Sequence, residues 1–194
     1  QSPSSFFFVT QVMKERLPYY AYPVLNRIVG GNRRKRRHYR ELFRITNYHQ
    51  PTNCISVGSA TAACAMMLAK PSITHYAVAP IGLTAERQAL LNEKGCHIVD
   101  STEQLRSIID NVETIGMLYV NAIDGTDTLI RAALPHTDKN SMIVVDGINR
   151  SKAVRDWWLQ LVSNSATVIT YDFYKYGVLL FDNERIKQHY TLKR

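Results

Sequence analysis

The chain has 194 residues, of which 45% are hydrophobic, 21% are charged and 10% are aromatic, and its formal net charge is +8. This length and composition predict one compact globular domain and exclude disordered, collagen-like and coiled-coil proteins. The longest apolar runs, at residues 6–9 and 62–69, are far shorter than the roughly 20 residues that cross a bilayer, so we expect no transmembrane segment. Residues 6–9 also lack the flanking features of a signal peptide.

The N-terminal part of the chain predicts a helical extension. Residues 6–28 are typical of helix, interrupted by Pro18 and Pro23, and Gly30-Gly31-Asn32 then breaks the chain. We therefore expect an N-terminal helical extension over residues 1–32 and an α/β domain over residues 33–194.

A basic helix is predicted directly after this break. Tyr39, Leu42, Phe43 and Thr46 fall on one side of it, and the opposite side is cationic. The basic residues of the run are Arg33, Arg34, Lys35, Arg36, Arg37, Arg40 and Arg44. Clustered cations bind polyanions such as nucleic acid or anionic lipid by releasing counterions. The alternative interpretation is a solvated face without a partner.

Strands and helices then alternate. Strands are predicted at 54–57, 75–79, 96–99, 117–120 and 141–145, with helices at 61–69, 84–94, 101–111, 126–134 and from Ser151 onward. Residues 167–173, 177–181 and 189–192 are strand-like without intervening helices. This order predicts a doubly wound, mostly parallel sheet with antiparallel strands added at one edge.

The three cysteines predict free thiols. Cys54, Cys64 and Cys96 are odd in number, lack CxxC spacing and lie in apolar neighbourhoods. Buried thiols of this kind are typical of a reducing compartment, so we expect a cytoplasmic protein. The six histidines show no metal-ligand spacing, and we expect no metal site.

The turn after the first strand is the expected ligand site, since ligands of parallel sheets bind beyond the carboxyl ends of the strands. Residues 56–62 there read Ser-Val-Gly-Ser-Ala-Thr-Ala. Small residues allow a ligand to approach the backbone, and the amides at a helix start favour carboxylate or phosphate. Tight packing of the helix on the strand also requires small residues, so both interpretations stay open.

The sequence over residues 36–194 resembles the class I S-adenosylmethionine (SAM)-dependent methyltransferases, and within them a bacterial subgroup common in Bacteroidetes. The matching segments are Glu41-Leu-Phe-Arg-Ile-Thr-Asn-Tyr-His-Gln-Pro51, Val145-Asp-Gly-Ile-Asn-Arg-Ser-Lys152, Trp157-Trp158, Thr170-Tyr-Asp-Phe-Tyr174, Gly177-Val-Leu-Leu-Phe181 and Lys187-Gln-His-Tyr-Thr-Leu192. Residues 2–10 also resemble the opening of that subgroup. The resemblance implies a seven-stranded Rossmann-like sheet, SAM as cofactor and methyl transfer as the activity.

The cofactor motif of this family is degenerate here. The resemblance places Ser56 at the position of an acid, keeps Gly58, and places Ala62 where a second glycine is expected. Ala79 stands where the family has the acid that holds the ribose hydroxyls, and Asn121 stands where it has an aspartate. Loss of a charge-assisted contact of this kind costs on the order of 1.5–3 kcal/mol of binding free energy.

The same resemblance implies a role for each candidate residue. Gly58, Ser59 and Ala60 would lie under the methionine portion of SAM, and Ala79 beside the ribose. Asp100 and Ser101 would lie near the adenine, with Ser56 and Asn121 also at the cofactor. Asp146 would face the substrate as the catalytic residue. The alternative interpretation is a turn for Asp146, Asn121 and the nearby Asp124, and a helix start for Asp100.

Two functions follow from these residues. The first is a SAM-dependent methyltransferase of unidentified methyl acceptor, with weakened or lost activity. The second is a catalytically silent scaffold of the same fold that binds a polyanionic or protein partner through the basic helix at residues 33–44. A dinucleotide-binding oxidoreductase is disfavoured, because both the glycine pattern and the ribose acid are missing.

Overall fold

The structure is a computed structural model that describes Val12, residues 21–122 and residues 125–192. Its helices are α1 (Ala21–Val29), α2 (Arg33–His49), α3 (Ala60–Ala69), α4 (Ala85–Glu93), α5 (Glu103–Asn111), α6 (Thr126–Ala133) and α7 (Lys152–Ser163). Its strands are β1 (Asn53–Val57), β2 (Thr74–Val78), β3 (His97–Val99), β4 (Met117–Asn121), β5 (Met142–Asp146), β6 (Ile169–Asp172), β7 (Tyr176–Leu180) and β8 (Gln188–Thr191). The predicted segment at 2–10, most of the predicted helical stretch at 6–28, and Asp124 lie outside the described residues.

The strands form one sheet in the order β3-β2-β1-β4-β5-β7-β6-β8. Among the described strands, β7 alone is antiparallel to its neighbours, β5 and β6. Helices cover both faces, so the predicted doubly wound, mostly parallel Rossmann-like class is confirmed. The predicted segments after residue 53 agree with the observed bounds to within two residues.

The described sheet differs from the prediction in its strand count. The described sheet has eight strands rather than seven, because β8 pairs in parallel with β6 from Ile169↔Gln188 to Asp172↔Thr191 and extends the edge. The antiparallel pairings lie on one side of the sheet, which is formed by the last three strands of the chain. The tight turn at residues 173–175 folds β7 back between β5 and β6, where it pairs with both.

Helix α3 explains much of the small-residue run after β1. It packs against α1, α2 and α4 and is buried along nearly its whole length. Large side chains would hold these helices apart, whereas its alanines allow close approach. Ser59 is its N-cap and accepts a 3.1 Å hydrogen bond from the amide of Ala62. The packing interpretation of these small residues is therefore correct for α3.

Helix α1 packs against the body of the protein and contacts α2. Ala21, Leu25 and Val29 belong to the same buried cluster as residues of β4 and β5. The guanidinium of Arg40 donates a 2.7 Å hydrogen bond to Oδ1 of Asn26. The proposed boundary after residue 32 stays a prediction.

The cysteines are free thiols. Cys54 and Cys64 are buried and Cys96 is half-buried. Among the described residues, no helix is both long and apolar enough to cross a membrane.

Candidate functional site

The carboxyl ends of β1, β4 and β5 converge at Gly58, Asn121 and Asp146. Gly58 has a φ of +77°, and a Cβ there would lie 3.2 Å from Cβ of Asn121. Nδ2 of Asn121 donates a 3.1 Å hydrogen bond to the carbonyl of Gly58. Both the backbone conformation and the close approach require glycine at this position.

Arg150 holds this edge of the sheet together. Its guanidinium donates to Oδ1 of Asn121 at 2.8 Å and to the carbonyl of Ala122 at 2.6 Å. Gly147, with a φ of +83°, lies under the same guanidinium. The side chain of Asn121 is therefore fixed from both of its ends.

Asp146 lies between a tyrosine and a histidine. The hydroxyl of Tyr119 donates a 2.8 Å hydrogen bond to Oδ2 of Asp146, and Nε2 of His38 lies 3.3 Å from the same oxygen. The His38 contact has the distance of an ion pair but not the alignment of a hydrogen bond, since Nε2 is buried and has no hydrogen-bond partner. Burial alone would raise the pKa of Asp146, but His38, Tyr119 and the charge of Arg150 outweigh burial and hold it below its ordinary value. Asp146 is thus a carboxylate at neutral pH.

Helix α2 supplies two side chains to this edge, His38 and Tyr39. The hydroxyl of Tyr39 lies 3.4 Å from Oγ of Ser59. Burial is the main cause that raises the pKa of Tyr39 above its ordinary value. The phenol therefore stays neutral and is able to donate a hydrogen bond.

A cavity of about 440 Å³ opens above these residues, and we name it the strand-end cavity. Four of the predicted site residues line it, namely Gly58, Ser59, Asn121 and Asp146. The other lining residues are Val29, Arg34, Lys35, His38, Tyr39, Thr61, Ile81, Gly82, Arg87 and Lys175. It has the size and position of a small-molecule site.

Two further predicted residues form hydrogen bonds to residues that line this cavity. Ser56 is buried in β1 and donates a 3.2 Å hydrogen bond to the carbonyl of Ser59. The amide of Ala60 donates to the carbonyl of Ile81 at 3.0 Å. Neither residue is part of the cavity lining.

Three predicted residues are not brought to the cavity. Ala79 follows β2 with a φ of +43°, and its amide donates to the carbonyl of Val99. Asp100 is exposed after β3. Oγ of Ser101 accepts a 3.1 Å hydrogen bond from the amide of Glu103, which is the contact of a helix-start residue. None of the three lines the strand-end cavity.

A second cavity of about 380 Å³ adjoins the first, between α2 and the turn that joins β6 to β7. We name it the turn cavity. Its lining residues are Arg34, Arg37, His38, Glu41, Phe173, Tyr174, Lys175 and Tyr176. Arg34, His38 and Lys175 line both cavities and form their common wall.

A larger cavity, of about 670 Å³, lies at the opposite ends of the strands, among residues such as Pro51, Gly116 and Leu180. Because ligands of parallel sheets bind at the carboxyl ends of the strands, the two smaller cavities are the stronger candidates. Within the part of the chain that is described, no group of three or more His, Cys, Asp or Glu side chains is placed to hold a metal ion.

Sequence reasoning did not find His38, Tyr119 or Lys175 as site residues. The sequence of the basic helix contained one indication of them. Arg34, His38 and Glu41 recur at i, i+4 and i+7 and so share one face of the helix. Tyr119 is buried inside β4 and had no sequence signal of its own.

The fold of this chain is similar to that of solved methyltransferases. The O-methyltransferase TomG from Streptomyces achromogenes, solved in complex with SAM, superposes with a TM-score of 0.63 at 12% sequence identity, covering 91% of this chain and 96% of TomG. This chain has a methyltransferase fold. PaMTH1 from Podospora anserina, bound to S-adenosylhomocysteine (SAH), gives 0.62 at 10% identity, with coverages of 93% and 98%.

The methyltransferase fold also matches an O-methyltransferase from Bacillus cereus in complex with SAH, with a TM-score of 0.60 at 7% identity and coverages of 90% and 96%. At these identities the similarity establishes the fold alone. No protein-family model matches the sequence, and no curated protein matches it.

Proposed function

We propose that this chain is a SAM-dependent methyltransferase whose cofactor binds in the strand-end cavity. The observation that supports the proposal is that a methyltransferase fold and a cavity at the carboxyl ends of its strands occur together. The chain has the fold of TomG and of the Bacillus cereus enzyme, which were solved with SAM and SAH, and a cavity of about 440 Å³ lies at the carboxyl ends of β1, β4 and β5. The resemblance to the bacterial subgroup stays part of this proposal.

The residues present fit one end of SAM and not the other. Gly58 exposes its backbone, and Ser59, Asn121 and Asp146 supply polar groups suited to the methionine portion. Ala79 supplies no carboxylate for the ribose, and neither Ala79 nor Ser101 lines the cavity. We therefore expect binding weaker by about one to two decades than with a ribose acid in place.

SAM, when bound, supplies a methyl group on a positively charged sulfur. The chain supplies alignment and a place for the proton that a hydroxyl or amine acceptor loses. Asp146 is ionised and lies against His38, so a positive charge that forms on the imidazole has a counter-charge at 3.3 Å. Tyr119 and Arg150 keep this carboxylate and its surroundings in place.

Isothermal titration of the full chain with SAH tests the proposal. We expect binding in the micromolar to millimolar range. Gly58→Ala should weaken it at least tenfold, because its Cβ would push on Asn121. Gly95→Ala is the matched control, since Gly95 has a φ of +75° but no atom within 4 Å of an added Cβ. Absence of binding by the unaltered chain at millimolar SAH would overturn the proposal.

A second candidate is a scaffold that binds a polyanion through α2. Arg33, Arg34, Lys35 and Arg36 are exposed and succeed one another at the N-terminal end of this helix, which has no acid in its first turn. The ion pairs of the described residues include none of these four. Cations at a helix N-terminus oppose the helix dipole, so helix stability does not explain them.

Titration of a labelled single-stranded RNA and of anionic vesicles across a salt series tests this candidate. A scaffold of this kind should bind with affinity that falls steeply with salt, and neutralising residues 33–36 to Gln should abolish binding. Equal binding by the neutralised variant would exclude it.

Two finer proposals remain. The free thiols of Cys54 and Cys64 support a cytoplasmic location, because such thiols are typical of reducing compartments. The glycine pair Gly30-Gly31, with both residues at positive φ, supports the boundary between an extension over 1–32 and a domain over 33–194.

A further inference from the structure

The turn cavity combines an aromatic wall with positive charge. The rings of Phe173 and Tyr176 stack with centroids 4.7 Å apart. Its charged lining consists of three cations and one carboxylate, and Arg37 pairs with that carboxylate, Glu41, at 3.1 Å. Arg34 and Lys175 are exposed and form no ion pair within the described ranges, so they give the cavity its net positive charge.

The turn itself is held in a costly conformation. Tyr174 has a φ of +67°, a region that favours glycine, and its side chain is 68% exposed at the cavity. The carboxylate of Asp172 accepts a 2.8 Å hydrogen bond from the amide of Tyr174, and the side-chain amide of Asn149 donates to the carbonyl of Tyr174. Asp172 is in turn paired with Arg155. Strain kept in place by surrounding contacts is typical of ligand sites.

His38 lies in the wall between the two cavities. Its ring meets Tyr39 and Tyr176 edge-on, at centroid distances of 5.0 Å and 5.4 Å. Nε2 is buried against Asp146, and the described residues form no hydrogen bond to Nδ1. A carboxylate beside one ring nitrogen favours the proton there and leaves the other nitrogen as an acceptor.

We propose that the turn cavity binds the methyl acceptor, and that this acceptor is a small hydroxylated molecule with a carboxylate or phosphate group. The inference rests on the proposed function and names its substrate class. Arg34 and Lys175 bind the anionic group, and the aromatic wall contacts the body of the molecule. The acceptor hydroxyl meets Nδ1 of His38. Its proton passes to Nδ1, its electron pair stays on the oxygen, and Asp146 balances the imidazolium charge as a positioning residue.

Calorimetric titration of the full chain with three probes tests the anion site. The probes are 3-hydroxybenzoate, its neutral amide 3-hydroxybenzamide, and phenyl phosphate. We expect both anions to bind at least tenfold more tightly than the amide, with the tighter of the two identifying the source of charge. Arg34→Gln and Lys175→Gln should each remove most of this preference. Arg106→Gln, which replaces an exposed arginine on α5, should preserve it.

Equal affinity for the acid and the amide would overturn the inference, as would a preference that survives both substitutions. SAH titration of the same samples separates this outcome from failure of the proposed function. Binding of SAH without anion preference leaves the methyltransferase proposal standing and removes the substrate class. Anion preference without SAH binding removes the methyltransferase proposal and shows only that the turn cavity binds anions.

Imidazole ¹⁵N NMR tests the role of His38, with His38→Gln assigning its signals. We expect 3-hydroxybenzoate to shift the Nδ1 resonance, and benzoate, which lacks the hydroxyl, to leave it in place. Asp146→Asn should change the ratio of the two ring tautomers in the free protein, which a purely structural carboxylate elsewhere would not do. An Nδ1 signal that responds equally to both acids would overturn the role of His38.

Discussion

The hydroxyl of Tyr119 reaches from β4 to the carboxylate of Asp146 at the end of β5, 2.8 Å away. Burial and the charge of Asp146 raise the pKa of Tyr119 well above its ordinary value, while the pKa of Asp146 is lowered. The phenol therefore keeps its proton and the carboxylate its charge, so donor and acceptor do not exchange roles. This fixed pair holds the oxygen that faces His38.

Tyr119→Phe should lower the free energy of unfolding by about 1.5–3 kcal/mol at pH 7, because a hydrogen bond to a charged group is lost. The pKa of Asp146 is lowered in the folded protein, so its contribution is present above the unfolded value of 3.8 and is lost as the pH falls. The difference between variant and parent should therefore shrink below that pH.

Urea unfolding at pH 7 and at pH 3.5 measures both effects. Tyr174→Phe is the matched control, since this exposed tyrosine should lose its hydroxyl with little change in stability. A Tyr119→Phe variant as stable as the control at pH 7 would show that the hydrogen bond contributes nothing.

Because His75 is buried, the free energy of unfolding should decrease as the pH falls. Burial lowers the pKa of His75, although the hydrogen bond from Nε2 to the carbonyl of Lys70 acts in the opposite direction. In the unfolded chain His75 takes up a proton near the ordinary pKa of 6.5, whereas in the folded protein it takes up a proton only at lower pH. Stability should then decrease as the pH falls below 6.5, by at most about 1.4 kcal/mol per pH unit for each such histidine.

His75→Gln should flatten the decrease in unfolding free energy between pH 7.5 and pH 5.5. His49, whose pKa burial also lowers, should account for part of the slope that remains. Equal slopes for His75→Gln and its parent, measured by urea unfolding, would contradict the assignment.

Local patterns predicted most of the fold. The apolar runs of β4 and β5 and the alternation of strands with helices are properties of neighbouring residues, so the sequence contains them directly. The turn at Gly58 was also predictable, because parallel strands end at a common edge. The place of β8 was not, since its pairing with β6 joins segments about twenty residues apart through backbone contacts.

The site was predictable only along the sheet edge. Gly58 and Ser59 follow β1, whereas Asn121 ends β4 and Asp146 ends β5, and all four line the strand-end cavity. His38 and Lys175 come from a helix before the sheet and a turn near its end. Their meeting depends on how α2 packs over the strand ends, which is a tertiary contact without a local signature. Ala79, Asp100 and Ser101 were assigned by resemblance alone, and in the structure they lie outside the cavity lining.

The thiols should react slowly in the folded protein. Burial raises the pKa of Cys96 to about 11 and that of Cys64 to about 12, and it raises the pKa of Cys54 further. Since the thiolate is the reactive form, half-buried Cys96 should be alkylated first, at pH 8 about a hundredfold more slowly than a thiol with the ordinary pKa of 9.0. Mass spectrometry of iodoacetamide-treated protein checks the order, with Cys96→Ser as control. Early labelling of Cys54 would contradict it.

Gly177 lies in β7 directly beneath the ring of Trp158, and a Cβ at this position would come within 2.7 Å of Cζ3 of that ring. Trp158 is fully buried, so the ring has no space into which to move, and Gly177→Ala should cost about 1–3 kcal/mol of unfolding free energy. Trp158→Phe removes the obstructing atoms at the expense of a cavity. In that background the alanine should cost less, giving a coupling of about 0.5–3 kcal/mol in a double-mutant cycle measured by urea unfolding. Additive effects would show that the ring is not what excludes a side chain from position 177.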